Sequence, residues 1–214
     1  MQIDLQRLTS LVDEAKNNSK KRNFAQAVEL VVNFKNLDVK APENRINEVV
    51  ELPNLIGRDM KVCVIADGDM VVKARQAGAD LVITKQELDQ YAGNKKAIKK
   101  LAGEYDYFAA RTDLMATVGK SLGSVLGPRG KMPDPLPPAA NVDHIIKKYR
   151  GAIRVRIRDQ LAIRCRIGSE AMDSKAIAEN ILAVLTTIER RIKFDQFLSS
   201  IVVKTTMGKP AKLR

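Results

Sequence analysis

The spacing of apolar residues changes twice along this chain, which divides it into three stretches. Residues 4–16 place apolar side chains three and four positions apart, which predicts an amphipathic helix. Residues 24–34 then alternate with a period of two, which predicts a β-strand with one apolar face. That face carries every second residue of the stretch, namely Phe24, Gln26, Val28, Leu30, Val32 and Phe34.

The middle stretch has a different hydrophobic pattern, because its apolar residues occur in continuous runs. Such runs occupy residues 62–66, 79–84 and 105–110, and they predict strands that are buried on both faces. Helical segments separate the runs, among them a lysine-rich helix at residues 94–102 and a later helix with Ile145 and Ile146. Strands and helices that alternate in this way predict a doubly wound, Rossmann-like α/β domain.

After Gly151 the period of two returns, and it predicts two adjacent strands that carry arginines. Residues 153–157 and 161–167 are apolar at every second position, and four of the five positions between these apolar residues are arginines: Arg154, Arg156, Arg164 and Arg166. We expect these strands to form a hairpin whose three-residue loop pairs Arg156 with Arg164, since a one-residue slip would put arginines on the apolar face. A helix at residues 174–191 and a strand at residues 200–206 follow.

Neither terminal stretch contains enough structure to bury a sheet face alone. Joined together, they have the size and the elements of a two-layer α+β domain. The sequence therefore predicts a split α+β domain of residues 1–59 plus 153–214, with an inserted α/β domain of residues 60–152.

The charge of the chain favours a polyanionic partner. Lys and Arg number 37 against 25 Asp and Glu, which gives a net charge of +12. Such a field favours nucleic acid, although exposed arginines on a solvated strand face are the alternative. More than half of the excess falls in one cluster that contains a single anion, Asp159, and these cations: Lys147, Lys148, Arg150, Arg154, Arg156, Arg158, Arg164 and Arg166.

Residues 126–133, Leu-Gly-Pro-Arg-Gly-Lys-Met-Pro, predict a rigid basic loop. Two glycines and two prolines in eight residues disfavour an ordinary helix or central strand. The spacing fails the Walker pattern, because Met132 stands where Ser or Thr is needed after Gly130-Lys131. Backbone amides with Arg129 and Lys131 can hold a nucleic-acid phosphate, and a tight structural connection is the alternative.

Other classes of function find little support in the composition. Cys63 and Cys165 lie in apolar strand-like runs, which predicts buried reduced thiols, and with only His144 the chain offers no metal-ligand spacing. No signal peptide and no apolar run of the ~20 residues that span a bilayer is evident. We expect no cofactor, no metal and no membrane partner. A nucleotide-dependent α/β enzyme that modifies RNA, with its site near Asp67 and the 126–133 segment, is the alternative function.

Two further segments suit an RNA surface. Phe24 follows a cationic turn at the start of a strand, where it either joins the core or stacks on RNA. Thr206, Met207 and Gly208 end the last strand, where glycine permits a close backbone approach and threonine offers a hydroxyl.

Taken together, several segments resemble the ribosomal protein L-one family, the proteins of the mobile stalk of the large ribosomal subunit, in its archaeal form. The resemblance covers nearly the whole chain. It rests on Lys21-Arg22-Asn23-Phe24, Leu52-Pro53-Asn54, Val118-Gly119-Lys120, residues 126–133 and Thr206-Met207-Gly208. One difference is Asn23, which stands where relatives outside the archaea often carry lysine.

The resemblance implies the same split two-domain fold and a structural, non-enzymatic role on the cytoplasmic ribosome. It implies binding to the stalk region of large-subunit rRNA, help in releasing tRNA from the exit site, and repression of translation through the protein's own mRNA. We expect the free protein to be a monomer. The implied rRNA contacts in the terminal domain are Phe24, Glu29, Ser200, Thr206, Met207 and Gly208, with weaker ones in the inserted domain from Gly127, Arg129, Gly130 and Lys131. We add Arg154 and Arg164 from the basic cluster.

Overall fold

The N-terminal and C-terminal parts of the chain fold into one structural unit. A computed structural model describes residues 4–38, 41, 44–57, 60–138, 140–157 and 160–213. One unit consists of Met1–Arg58 with Gly151–Arg214, and the other of Asp59–Arg150. We call them the terminal unit and the inserted unit. The residues at the first predicted crossing, Arg58 and Asp59, lie outside the described residues, and the exact domain boundaries stay a prediction.

The terminal unit is an α+β structure whose helices and strands come from both ends of the chain. In chain order, its described elements are α1 (Leu5–Asn17), β1 (Ala27–Phe34), β2 (Asn47–Glu51), β7 (Ala152–Arg156), β8 (Ala162–Ser169), α7 (Ser174–Glu189), α8 (Phe194–Phe197), β9 (Leu198–Thr205) and β10 (Ala211–Leu213).

Strand β1 is central to the four-stranded antiparallel sheet of this unit. The strand order is β10-β9-β1-β8, so β1 pairs with one C-terminal strand on each side. Leu30, for example, lies opposite Cys165 on β8 and Val203 on β9. The predicted alternation is present, because the side chains from Val28 to Phe34 on one face are buried and the intervening ones are half exposed.

Helices α1 and α7 contact each other and the sheet. Helix α1 begins at the N-cap Asp4, whose side chain accepts a hydrogen bond from the Gln6 N–H. Both helices bury an apolar stripe, formed by Leu8, Leu11, Val12 and Ala15 on α1 and by Ile177, Ile181, Val184, Leu185 and Ile188 on α7. The sheet face with Val28 is buried, whereas the face with Ala27, Glu29, Val31 and Asn33 keeps solvent contact.

The two arginine-bearing strands pair with different partners, so the predicted hairpin is wrong. Strand β7 pairs with β2 in a separate two-stranded sheet, and Arg154 lies opposite Val49. Strand β8 pairs with β1, and Arg164 lies opposite Val31. Each strand therefore forms its backbone hydrogen bonds with an N-terminal strand. The tendency of consecutive strands to pair with each other does not predict this arrangement. Arg158 and Asp159 of the predicted loop lie outside the described residues.

The inserted unit has the predicted parallel sheet, in which the neighbouring strands are, in order, β4 (Leu81–Ile83), β3 (Val62–Ile65), β5 (Tyr107–Arg111) and β6 (Asp134–Leu136). All four residues of β3 are buried, as are Tyr107 to Ala110 of β5. The fold class, with one Rossmann-like α/β unit and one α+β unit, is therefore confirmed. In chain order, the described helices and strands of the inserted unit are β3 (Val62–Ile65), α2 (Asp69–Gln76), β4 (Leu81–Ile83), α3 (Lys85–Tyr91), α4 (Lys95–Glu104), β5 (Tyr107–Arg111), α5 (Met115–Arg129), β6 (Asp134–Leu136) and α6 (Val142–Arg150).

Half of the predicted 126–133 loop is helical, which corrects the sequence analysis. Helix α5 continues through Gly127 and Pro128 to Arg129. Proline ordinarily clashes with the Cβ of the residue before it, and Gly127 has none. Gly130 then ends the helix in the left-handed conformation, with φ of 67°. Its N–H donates to Gly127 O and the Lys131 N–H donates to Leu126 O, which is the Schellman arrangement.

This helix end gives the first prediction. Gly130→Ala should lower the free energy of unfolding by about 1–2 kcal/mol, because a Cβ is strained in the left-handed region. The matched control is Gly119→Ala inside α5, where an added Cβ meets nothing within 4 Å. That change should instead stabilise the protein by up to ~1 kcal/mol. Urea unfolding measures both, and an equal effect of the two changes would contradict this account of Gly130.

Candidate nucleic-acid interface

Two segments that are distant in sequence meet at one end of the terminal unit's sheet. Strand β9 ends at Thr205 opposite Val28, near the start of the antiparallel strand β1. The Thr206 hydroxyl accepts from the Ala27 N–H at 3.1 Å and lies 3.3 Å from Ala27 O, to which the Thr206 N–H also donates. Residues 24–27 and the 206–208 turn are thus held together, and the Thr206 hydroxyl has an internal structural role.

Gln26 is the buried polar centre of this end of the sheet. Its side-chain amide nitrogen lies within hydrogen-bond distance of Ser19 Oγ (2.9 Å), Lys20 O (3.1 Å) and Glu170 Oε2 (3.1 Å). Its oxygen accepts from the Met207 N–H at 3.1 Å. Since Gln26 is fully buried, these bonds form away from water, where an unmet polar group is expensive. One side chain therefore joins four segments of the chain.

The side chains on either side of Gln26 are unusually exposed for their type. Phe24 is 52% exposed and Met207 is 60% exposed. The sequence left open whether Phe24 joins the core, and the structure places it at the surface. Two large apolar side chains held at one end of a sheet form a platform on which a flat, partly apolar group can pack.

Gly208 is fixed in place by its neighbours. A Cβ at this position would overlap Thr205 Oγ1 and would lie 3.2 Å from the Ser19 Cβ. Thr205 is fully buried, and within the described part of the chain its hydroxyl has no hydrogen-bond partner. The glycine therefore lets the 206–208 turn fold against the turn that contains Ser19.

A charged strip crosses the half-exposed face of the sheet. Glu29 on β1 lies opposite Arg166 on one side and Lys204 on the other. The Lys204 ammonium is 3.9 Å from the Glu29 carboxylate and donates to Thr206 O at 3.2 Å. This lysine, which the sequence analysis did not single out, connects the strip to the 206–208 turn. We call the face that carries Glu29, Val31, Asn33, Arg164, Arg166, Val202 and Lys204 the open sheet face.

The remaining predicted residues of this unit are spread out. Ser200 lies opposite Asn33, whose amide donates to the Ser200 hydroxyl at 3.0 Å. Thr206 lies six positions after Ser200, just beyond the end of β9, which is a distance of about 20 Å along the strand. Arg164 is exposed on β8, whereas Arg154 belongs to the β2–β7 sheet. The structure thus brings Phe24, Thr206, Met207 and Gly208 together, places Glu29, Ser200 and Arg164 on β1, β9 and β8 of one sheet, and separates Arg154 from that sheet.

In the inserted unit, the predicted residues lie at the C-terminal end of α5. The Lys131 ammonium donates to Ala102 O at 3.0 Å and to Tyr105 O at 2.6 Å, at the end of α4. The Arg129 guanidinium donates to Lys99 O at 3.3 Å. The Lys131 ammonium lies beside the carbonyls at the end of α4, where a cation is favourable. Both side chains bond to the backbone of α4 and so help to join α4 to α5. Gly127 and Gly130 shape the helix end between them.

The described residues offer little for metal or thiol chemistry. They include no group of three or more His, Cys, Asp or Glu residues that could hold a metal ion. Burial raises the pKa of both Cys63 and Cys165 to about 12, so that neither thiol ionises appreciably near neutral pH. Within the same residues, no helix has the length and apolarity to cross a membrane.

Comparison with known proteins decides the family. The sequence model of the Ribosomal protein L1p/L10e family matches residues 15–209 of this chain. The chain belongs to the ribosomal protein L1p/L10e family. The resemblance noted in the sequence is therefore confirmed, and the matched region includes residues of both structural units.

Archaeal members of the L1p/L10e family are similar over nearly their whole length. The large ribosomal subunit protein uL1 of Methanothermobacter thermautotrophicus is 48% identical over 204 residues, which cover 95% of this chain and 96% of the relative. The uL1 protein of Archaeoglobus fulgidus is 44% identical over 209 residues, which cover 97% of each chain. The family consists of structural ribosomal proteins, so the alternative of an RNA-modifying enzyme is wrong.

The hydrogen bonds of Gln26 give the second prediction. Gln26→Leu should lower the free energy of unfolding by about 1–3 kcal/mol, because it leaves buried partners unmet. It should also increase hydrogen exchange at the Met207 amide, which loses its acceptor. Hydrogen exchange read by NMR or mass spectrometry measures this local effect.

A second buried amide of the terminal unit provides the control. Asn180 is fully buried and bonds to the backbone of Asn54 and Ile167. Asn180→Leu should therefore destabilise the unit to a similar degree without loosening the Met207 amide. Equal protection of that amide in both variants would show that Gln26 does not hold the 206–208 turn.

Proposed function

We propose that the protein binds the stalk region of large-subunit rRNA through the end of the terminal unit's sheet. The observation that carries the proposal is the exposure of Phe24 and Met207 at one end of the sheet, where the buried Gln26 accepts a hydrogen bond from the Met207 N–H. Aromatic and thioether side chains at a basic surface suit the stacking faces and sugar edges of folded RNA. Membership of a ribosomal protein family agrees with an rRNA partner on the cytoplasmic ribosome.

In this proposal each group at the interface has its own task. Phe24 and Met207 pack on an unstacked base or on a ribose. Gly208 lets the turn that presents Met207 pack against Ser19. Arg164 and its neighbours on the open sheet face attract phosphates in a salt-dependent way. The Glu29 carboxylate accepts hydrogen bonds from ribose 2′-hydroxyls, which distinguishes RNA from DNA. Ser200 is buried and its hydroxyl accepts from the Asn33 amide, so its part in the proposal is to orient Asn33 on the open sheet face.

We assign the Thr206 hydroxyl a smaller direct role than its place in the sequence suggests. It already bonds with the backbone of Ala27, so it retains little capacity for RNA. Its contribution is chiefly to fix the turn that presents Met207. We place Arg154 at the periphery of the proposed site, because it lies on the β2–β7 sheet.

The inserted unit makes the weaker contact in this proposal. Arg129 and Lys131 contribute positive charge at the end of α5, where Gly127 and Gly130 keep the backbone accessible. Their side chains also bond to carbonyls of residues 99–105, so they are partly committed to the fold. We propose that this end assists exit-site tRNA release, and that the whole protein represses translation of its own mRNA by binding a stalk-like structure there.

A competition experiment tests the proposal. The full chain is titrated with a labelled stalk fragment of large-subunit rRNA at moderate salt, against an unrelated hairpin of the same length and bulk tRNA. The proposal expects the stalk fragment to bind tighter by about 10³-fold or more, which is typical of specific nucleic-acid recognition. Equal affinity for all three RNAs would instead indicate a general basic RNA chaperone.

The exposed apolar pair gives the third prediction. Phe24→Ala and Met207→Ala should each weaken binding of the stalk fragment by about 1–3 kcal/mol, because a stacking contact is lost. Leu55→Ala is the matched control, since Leu55 is 70% exposed in the same unit but outside the proposed site. Filter binding measures all three variants, and a loss of the same size in Leu55→Ala would remove Phe24 and Met207 from the site.

A further inference from the structure

Helix α4 of the inserted unit carries a band of lysines that the proposed rRNA site does not include. We propose that Lys95, Lys96, Lys99 and Lys100, the α4 lysine face, form a second RNA-binding surface that contacts phosphates without reading sequence. The terminal-unit site recognises shape through Phe24 and Met207, whereas this face has only point charges to offer. Its chemistry therefore differs from that of the terminal-unit site, and it extends the weaker RNA contact that the proposed function places at the end of α5.

The lysines occupy one side of the helix. The positions Ile98, Leu101 and Ala102 are buried, whereas all four lysines are exposed. At 100° per residue, the lysines span an arc of about 140° on the side away from the buried positions. Gly103 falls inside this arc and is exposed, so no large side chain interrupts the lysines. An approaching phosphate backbone meets the ammonium groups first.

This arrangement opposes the electrostatics of an isolated helix. Lys95 and Lys99, like Lys96 and Lys100, are four positions apart, where like charges repel. Lys95 and Lys96 also occupy the first turn, where the helix dipole favours anions, and no acidic residue is present in that turn. Residues that break local rules without a structural gain point to a functional site. A polyanion would remove the conflict by neutralising the lysines.

The surroundings of the face do not supply that neutralisation. The described structure gives α4 one ion pair, between Lys100 and Glu104 at 3.9 Å, and it is largely exposed. Further cations adjoin α4, since the Arg129 guanidinium donates to Lys99 O and the Lys131 ammonium to Ala102 O. The lysine face thus continues into the basic end of α5.

RNA fits this face better than other polyanions. The groups on offer are lysines, which act as flexible point charges suited to phosphates, and α4 exposes no aromatic residue for stacking. The chain belongs to a ribosomal protein family, so RNA is the polyanion at hand. The expected interaction is weak alone, strongly dependent on salt, and indifferent to base sequence.

The test compares two variants of the full chain that lose the same charge. One replaces Lys95, Lys96, Lys99 and Lys100 with Gln. The control replaces with Gln four exposed cations of the same unit that lie outside α4 and outside the basic cluster, namely Lys61, Lys73, Arg75 and Lys85. The probe is a labelled RNA duplex of arbitrary sequence. Its affinity for each variant is measured at several salt concentrations between about 50 and 200 mM. Thermal unfolding of both variants is recorded as well.

The α4 variant should bind the duplex at least tenfold more weakly at the lowest salt. Its plot of log affinity against log salt should be shallower than wild type by about 2–3, since each phosphate contact contributes ~0.9 to the slope. The control should change both quantities much less. The melting temperature of the α4 variant should be equal to or above that of wild type, because repulsion within the helix is relieved.

Two results would overturn the proposal. If both variants lose the same amount of affinity for the duplex, only the net charge of the protein matters. If the α4 variant binds the duplex as tightly as wild type, the α4 lysine face does not bind RNA, and an acidic protein becomes the remaining candidate partner. The proposed rRNA site is tested separately. In the competition experiment, a wild-type protein without preference for the stalk fragment would refute the terminal-unit site. The dependence of duplex affinity on salt would still decide whether the α4 lysine face binds RNA.

Discussion

The pairing of β1 with a C-terminal strand on each side is the constraint on which the terminal unit depends. It places the start of β1 beside the end of β9, so that Phe24 and Met207 approach each other although the chain between them contains an entire second unit. The buried Gln26 then fixes the two turns relative to each other, because its side-chain amide bonds to Ser19 in one turn and to Met207 in the other. The proposed RNA surface is a consequence of this pairing and of one polar side chain in the core.

The local pattern predicted those elements whose own side chains determine their structure. The alternation in β1, the continuous apolar run of β3 and the four-residue steps of α7 each report burial directly. The local pattern gave wrong predictions where residues distant in sequence determine the structure. The C-terminal end of helix α5 was predicted as a loop because Gly127 and Pro128 disfavour a helix, yet Gly127 lacks the Cβ that clashes with a proline ring. The short strand β10 was missed because its apolar content is too low to stand out.

The candidate site was predicted in part, and the missing pieces have physical reasons. Gln26 stood in the apolar register of β1, and a polar residue at a buried position is a signal that could have identified it. Lys204 could not be identified, because its contact with Glu29 depends on the register between β1 and β9. The arginines were assigned to one hairpin, whereas β7 and β8 each pair with a different N-terminal strand.

The central claim is that RNA lies across the sheet end formed by Phe24, Met207 and their neighbours. Ultraviolet crosslinking of the full chain to large-subunit rRNA, followed by tryptic digestion and mass spectrometry, tests it most directly. The account predicts crosslinked peptides covering residues 23–35 and 205–212, which contain Phe24 and Met207 respectively. Crosslinks confined to residues 60–150, with both of those peptides unmodified, would contradict it.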